Sequence, residues 1–359
     1  MEARQESLLD LLGEQGVCYA LPTYQRAYAW GEYQCLELWR DVLFAARNDK
    51  THFAGMLICA TPEKSAAQQY AGSQRVLEVI DGQQRLTTLT LMLLAFARYA
   101  QEQGISIYGI GPELIVDSYL RPAEGRKLVL SRLDRDTLFA LIDGEEPPAG
   151  SASRALANFR LFQEKMAEDG FDPELFWKGL RSVFVISIEL GEGDNAQEIF
   201  ESFNSKGVAL TTADMMRNFL LMAENRSEQV RLYDTYWERI QSAFGDDPGS
   251  KRLNTSIRAW MCVRCKWARS HTDREMFSIF KAYCEEELPG TVEDLMQELV
   301  NFTQLWAERY RYHYTKAYMS YNWAVLGANT LVPQEVVDKV QVDRDSFYWK
   351  QYMVLDSTM

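Results

Sequence analysis

Histidine is nearly missing from this 359-residue chain, which has only His52, His271 and His313. Three scattered imidazoles exclude a histidine-rich metal centre and leave little room for a serine-type triad. Long apolar runs are missing too. The longest, Leu91 to Ala97, is about a third of the ~20 residues a membrane-spanning helix needs. The opening Met1-Glu2-Ala3-Arg4-Gln5-Glu6 lacks the basic-then-apolar layout of a secretory leader, so a cytoplasmic location without membrane contact is expected. Cysteine is sparse. Six residues, 18, 35, 59, 262, 265 and 284, sit in apolar-periodic segments and read as buried free thiols. Cys262-Val-Arg-Cys265 has zinc-knuckle spacing, but only His271 lies near, and two thiolates plus one imidazole do not fill a structural zinc site. Cations are in the minority, 38 against 51 carboxylates for a net charge of −13. That balance argues against a broad, salt-driven grip on a nucleic-acid backbone and leaves room only for a local basic patch.

What is present is core material. Hydrophobic residues make up 47% and aromatics 12% of the chain, which excludes disorder and allows two or three domains. Glu2 to Gly13 reads as a short amphipathic helix with Leu8, Leu9, Leu11 and Leu12 inward. Val17 to Leu21 is strand-like, and Glu32 to Arg47 is a helix with Leu36, Trp39, Leu43 and Ala46 on one face. Phe53 to Ala60 and Arg75 to Ile80 read as strands joined by a long polar hairpin connection. Gln84 to Glu102 is a helix apolar nearly all round from Leu86 to Ala97, which places it at the centre of a domain. Lys127 to Leu133 is a further strand candidate. Helices at Ala152 to Glu168 and Pro173 to Leu180 precede the β-branched strand Ser182 to Leu190. Asn195 to Ser205 is read as helical, and Thr211 with Asp214 forms the capping box of the next helix. The Gly- and Asp-rich loop at 245–250 is the expected boundary between residues 1–245 and an all-helical domain over 246–359.

Three stretches carry chemistry. In Val79-Ile80-Asp81-Gly82-Gln83-Gln84-Arg85 a strand runs through a glycine turn into the buried helix. A helix start offers unpaired N–H groups and the positive end of the dipole, a setting that favours phosphate. Gly82 would let a ligand approach the backbone, Gln83 and Gln84 offer amide donors, and Arg85 offers a planar fork. Asp81 could hold Mg²⁺ or orient a water. The plainer alternative makes Asp81 an N-cap and Arg85 a surface charge. In Leu21-Pro22-Thr23-Tyr24-Gln25-Arg26-Ala27-Tyr28-Ala29-Trp30, Tyr28 and Trp30 either stack on a base or cover the core. An Arg26 among aromatics calls for an anionic partner. The third stretch runs from Asn195 to Gly207 and has Asn195, Glu198, Ser202 and Ser205 on one side. Asp214, Arg217 and Asn218 follow it, and the alternative there is a solvated helix face.

Together these stretches resemble the N-terminal domain of GmrSD-type restriction enzymes, whose fold is similar to the ParB and sulfiredoxin superfamily. The resemblance rests on Leu21 to Trp30, Phe53-Ala54-Gly55, Ile80 to Thr88 and Ile199 to Asp214, in the family's order and spacing, and it covers about residues 1 to 225. It implies an α+β, ParB/sulfiredoxin-like nucleotide domain with helical insertions, followed by the helical domain. It also implies binding and hydrolysis of a nucleoside triphosphate (GTP, ATP or UTP) with Mg²⁺, in control of DNA cleavage during defence against phage or modified DNA. Carried over, Asp81, Gln83, Gln84 and Arg85 form the catalytic phosphate site, with Asp81 on the metal. Tyr24, Gln25, Arg26 and Gly82 flank the nucleotide, and Asn204, Lys206 and Asp214 support it.

The chain departs from many relatives at its C-terminal end, where none of its histidines sits in a His-Asn-His nuclease setting. A partner nuclease, as a separate subunit or a following domain, is therefore expected, and a homo-oligomer remains open. The alternatives are a sensor that binds without hydrolysing and a ParB-like domain that nicks DNA itself. Lys251 to Ser270 carries six cations and no carboxylate. Arg258, Arg264 and Arg269 there are candidates for a nucleic-acid surface, or they pair with the domain's own carboxylates.

Overall fold

The computed structural model describes residues 2–62, 74–123, 125–148, 153–191, 193–194, 196, 199, 210–222, 226–245, 251–265 and 272–310. The chain forms two compact units, Met1–Val208 and Ala209–Met359.

The first unit is built on a mixed six-stranded sheet. Its strands are β1 (Glu2–Ser7), β2 (Val17–Ala20), β3 (His52–Ala60), β4 (Arg75–Asp81), β5 (Leu128–Val129) and β6 (Val183–Leu190), in the order β1-β6-β3-β4-β2-β5. The β1–β6 and β3–β4 pairs are antiparallel, and β3–β6, β2–β4 and β2–β5 are parallel. Among the described residues, seven helices accompany the strands: α1 (Leu8–Gly13), α2 (Glu32–Arg47), α3 (Gln83–Gln103), α4 (Pro112–Tyr119), α5 (Arg132–Asp143), α6 (Arg154–Ala167) and α7 (Pro173–Ser182). The architecture is α+β, as expected.

The apolar girdle of α3 does what its pattern implies. Leu91, Met92, Leu93, Leu94, Ala95 and Phe96 are wholly buried, so the helix has no solvent face to keep polar. Trp39 of α2 packs with Phe162, Phe171 and Phe176 at ring-centroid distances of 6.1, 5.9 and 4.6 Å. Helices α2 and α7 approach closely because Gly179 has no side chain. A Cβ there would lie 2.6 Å from the Val42 carbonyl oxygen.

Several elements differ from the sequence reading. The expected strand over Lys127–Leu133 is only Leu128–Val129 because a helix, α5, begins at Arg132, and neither α4 nor α5 is among the expected elements. Glu2–Ser7 is an edge strand paired to β6, and only Leu8–Gly13 is helical. Four of the strand's six residues are exposed, so neither face leaves an apolar alternation to read. Ser7 ends the strand and caps α1 by accepting from the Asp10 N–H.

The described part of the second unit is helical throughout, comprising α8 (Thr212–Met222), α9 (Arg226–Leu232), α10 (Glu238–Ser242), α11 (Lys251–Arg264), α12 (Asp273–Ala282) and α13 (Val292–Tyr310). A π-turn at Tyr233–Trp237 links α9 to α10, and another, Tyr283–Glu287, follows α12. The division between units falls at Val208/Ala209 and not at the expected 245/246 boundary. Helix α8 belongs with the later helices because its first N–H groups bond to them. Thr212 N–H donates to Asp273 at 3.0 Å and Ala213 N–H to Asn254 at 3.1 Å. No described helix is long and apolar enough to cross a membrane.

The close approach at Gly179 generates a prediction. Gly179→Ala should force α7 away from α2 and cost about 1–3 kcal/mol of stability, read as a lower urea midpoint. Wild-type stability would show that the helices do not need the bare backbone.

Candidate functional site

The turn between β4 and α3 is the site toward which the sequence points. Gly82, at φ +93°, is the N-cap of α3 and makes no side-chain cap bond. Asp81 is the last residue of β4 and is not the cap. A Cβ on Gly82 would lie 2.7 Å from the Met56 carbonyl oxygen. The bareness of this glycine therefore serves the seating of the turn on β3. The first turn of α3 still has N–H groups with no carbonyl ahead of them in the helix.

Arg85 reaches back along β3. Its Nη2 donates to the same Met56 oxygen at 2.7 Å and stands 3.8 Å from Asp81 Oδ2. Gly55, at φ +108°, leaves the space this requires, since a Cβ there would come within 2.9 Å of the Arg85 Cζ. Asp81 and Arg85 are each 23% exposed at the side chain, so the pair is accessible from one side. Burial raises the Asp81 pKa. The Arg85 charge, the Gly82 N–H and the Arg26 charge oppose that shift. A carboxylate beside the Arg85 guanidinium at a helix start, with the Arg26 charge also acting on it, forms a partly desolvated polar site.

The two glutamines have partners inside the protein. Gln84 Oε1 accepts from the N–H groups of Ala29 (2.7 Å) and Trp30 (3.2 Å), and its Nε2 donates to the Ala27 carbonyl at 3.4 Å. Gln83 Nε2 donates to Gln25 Oε1, and Gln25 Nε2 donates to the Ile80 carbonyl, both at 2.9 Å. These amides tie the Leu21–Trp30 segment to the turn, and beyond the bond to Ala27 Gln84 keeps one amide N–H. Gln83 Oε1 is buried with no hydrogen-bond partner. Tyr24 and Tyr28 are buried. Tyr28 Oη lies 2.6 Å from Thr88 Oγ1, so the core reading of that residue holds.

Three residues that the sequence reading passed over clamp the same segment. Asp134 of α5 accepts from the Tyr28 N–H and from Ser153 Oγ, each at 2.6 Å. Asn158 of α6 donates to Tyr28 Oη at 3.1 Å and to the Trp30 carbonyl at 2.9 Å, and Arg154 donates to the Ala29 carbonyl. Arg154 and Asn158 are four apart on one helix face. That spacing was the available signal, but neither residue type alone marks it.

The remaining candidates separate. Asn204, Lys206 and Arg269 lie outside the described residues. Asp214 forms the expected capping box with Thr211, exchanging bonds of 2.9 to 3.3 Å, and pairs with Arg217 at 3.2 Å in a buried setting. Arg258 pairs with Asp273 at 3.2 Å. Arg264 donates to Tyr283 Oη at 2.8 Å and sits 3.5 Å from Glu298. Both cations have partners within the second unit, as in the internal-pairing alternative. A groove of the first unit, about 1300 Å³, includes Asp10, Glu14, Arg121 and Arg126 in its lining but no residue of the turn. Both of its guanidiniums are bonded to Asp143. No cluster of three or more His, Cys, Asp or Glu able to hold a metal ion occurs among the described residues.

An α+β unit carrying an aspartate–arginine pair at a glycine-capped helix start defines the class of protein. The model of the GmrSD restriction endonuclease N-terminal domain matches residues 8–221. That is more than half of the chain, which therefore belongs to this restriction family. No curated protein matches the chain.

Asp134 generates the prediction of this subsection. Burial raises its pKa, while bonds from Ser153 and Tyr28 oppose the shift. Between the ordinary carboxylate value near ~4 and the raised one, the folded protein keeps a proton that the unfolded chain releases. Stability from this group is therefore full below that window and is lost as pH rises through it. Asp134→Asn keeps an acceptor for the Tyr28 N–H and removes the titration. Its denaturant midpoint, relative to wild type, should rise with pH across the window. A difference that stays flat with pH would show that Asp134 is not the titrating group.

Proposed function

We propose that the chain is the nucleotide-binding and nucleotide-hydrolysing component of a DNA restriction system, and that its first unit is a ParB/sulfiredoxin-like domain with helical insertions. The observation that carries the reading is the Asp81 carboxylate, held at the α3 start beside the Arg85 and Arg26 charges with one side accessible. Family membership supplies the restriction context. In this reading the triphosphate meets the first-turn N–H groups of α3 and the two guanidiniums, which neutralise charge as the γ-phosphoryl group transfers. Asp81 accepts the proton of the attacking water, and the burial that raises its pKa makes it a better base. A single carboxylate suits a Mg²⁺ that arrives with the nucleotide and keeps most of its ligands from water and phosphate. Bound there, the ion would neutralise phosphate charge, with Asp81 as its protein ligand. DNA is the target of the system, and a partner nuclease performs the cut.

Binding without hydrolysis is the second reading. It is favoured by the internal engagement of Gln84 and by the docking of Arg85 on the Met56 carbonyl, which leave fewer free groups than the sequence suggested. Phosphate release by the purified chain with ATP, GTP and UTP separates the two. Arg85→Ala removes a charge-assisted contact, so nucleotide affinity should fall by about ten- to a hundred-fold. Asp81→Asn should leave binding nearly intact and lower turnover by roughly two orders of magnitude. Wild-type turnover in a folded Asp81→Asn variant would remove Asp81 from the chemistry. Tight binding with no release by the wild type would select the sensor.

A further inference from the structure

On the outer side of α2 lies a groove of about 410 Å³ that the nucleotide reading does not use, and Lys165 and Glu168 of the α6 end complete its lining. Leu36, Trp39, Leu43 and Phe44 supply apolar surface, and Arg40 and Arg47 stand along it. Phe44 is 57% exposed. An open aromatic beside two leucines is surface that a soluble protein ordinarily covers or uses. Arg40 and Arg47 are exposed, and neither has an ion pair among the described residues. Two exposed guanidiniums on one helix face, with no ion pair among the described residues, make a cationic edge on which an external anion can sit. Lys165 is already paired with Glu168 at 2.5 Å.

The aromatic faces decide the class of occupant. Trp39 is buried and packed against three phenylalanine rings. Lys50 stands 5.8 Å over the Phe44 ring. Trp39 is therefore no stacking platform for a base, and Lys50 covers one face of Phe44. Apolar side chains flanked by carboxylates fit instead. Arg40 and Arg47 are seven residues apart, about 10.5 Å along the helix axis, which matches carboxylates seven apart on a helix lying along the groove.

We propose that this groove docks an acidic amphipathic helix of a partner protein, with leucine-type side chains set among Leu36, Leu43 and Phe44 and carboxylates on Arg40 and Arg47. The probe is a fluorescein-labelled peptide about four turns long, with leucines on one face and two glutamates seven apart. Its lysine-for-glutamate twin and a labelled single-stranded DNA serve for comparison. Fluorescence anisotropy with the full chain should show that the glutamate peptide binds. The Arg40→Glu/Arg47→Glu variant should bind it at least roughly ten-fold more weakly and take up the lysine twin instead. Both sites are exposed, so the variant should melt like wild type and keep its nucleotide-induced shift. Three results would overturn the proposal. These are no binding of the glutamate peptide to wild type, binding indifferent to the double reversal, or Arg-dependent binding of the DNA in place of the peptide.

Discussion

The Met56 carbonyl oxygen on β3 meets the β4–α3 turn twice. Gly82 packs so closely against it that no Cβ would fit, and Arg85 donates to it from one turn into the helix. The start of α3 is thereby locked onto the sheet, and the rest of the first unit follows from that seat. Asp81 is held where burial and two cations act on it in opposite directions. Gly55 completes the seat by leaving room for the guanidinium. This is the physical content of the Phe53-Ala54-Gly55 and Asp81-to-Arg85 motifs, which are far apart in sequence and in contact in the fold.

The same seat orients the aromatic segment. Gln25, Gln83 and Gln84 bridge the segment and the turn from one side, and Asp134, Arg154 and Asn158 hold the segment from α5 and α6. A shift of α6 would therefore be felt at the helix start through backbone contacts of Ala29 and Trp30. Such a linkage offers a route by which an event elsewhere in the unit could reach the Asp81–Arg85 turn.

Strong periodicity made much of the fold legible. The all-apolar girdle of α3 and the β-branched run of β6 stand as expected, because burial imposes its pattern on the sequence, whereas the buried face of α2 runs through Leu38, Trp39 and Val42 and leaves Leu36 and Leu43 half-buried. The Thr211–Asp214 capping box was legible for a similar reason, since a cap needs a fixed residue type at a fixed spacing. The edge strand β1 was not legible, because a strand exposed along most of its length has no apolar alternation. In the site, Asp81 and Arg85 could be identified from strand, turn and helix start alone. The division of labour among the glutamines could not. An amide bonded to backbone groups 55 residues away has no local signature, and Asp134 likewise reads as an ordinary first-turn acid. The partners of the basic stretch were hidden for the same reason. Its carboxylate partners, Asp273 and Glu298, come from other helices.

The central claim is that the Asp81–Arg85 turn receives the triphosphate. Amide-resolved nuclear magnetic resonance of the full chain, titrated with a non-hydrolysable nucleotide and Mg²⁺, tests it most directly. The account predicts saturating shifts at the Gly82, Gln83 and Gln84 amides and at the guanidinium signals of Arg85 and Arg26, with Asp134 and Asn158 moving less. Shifts confined to the wide groove around Glu14 and Arg126, with the turn unmoved, would contradict it.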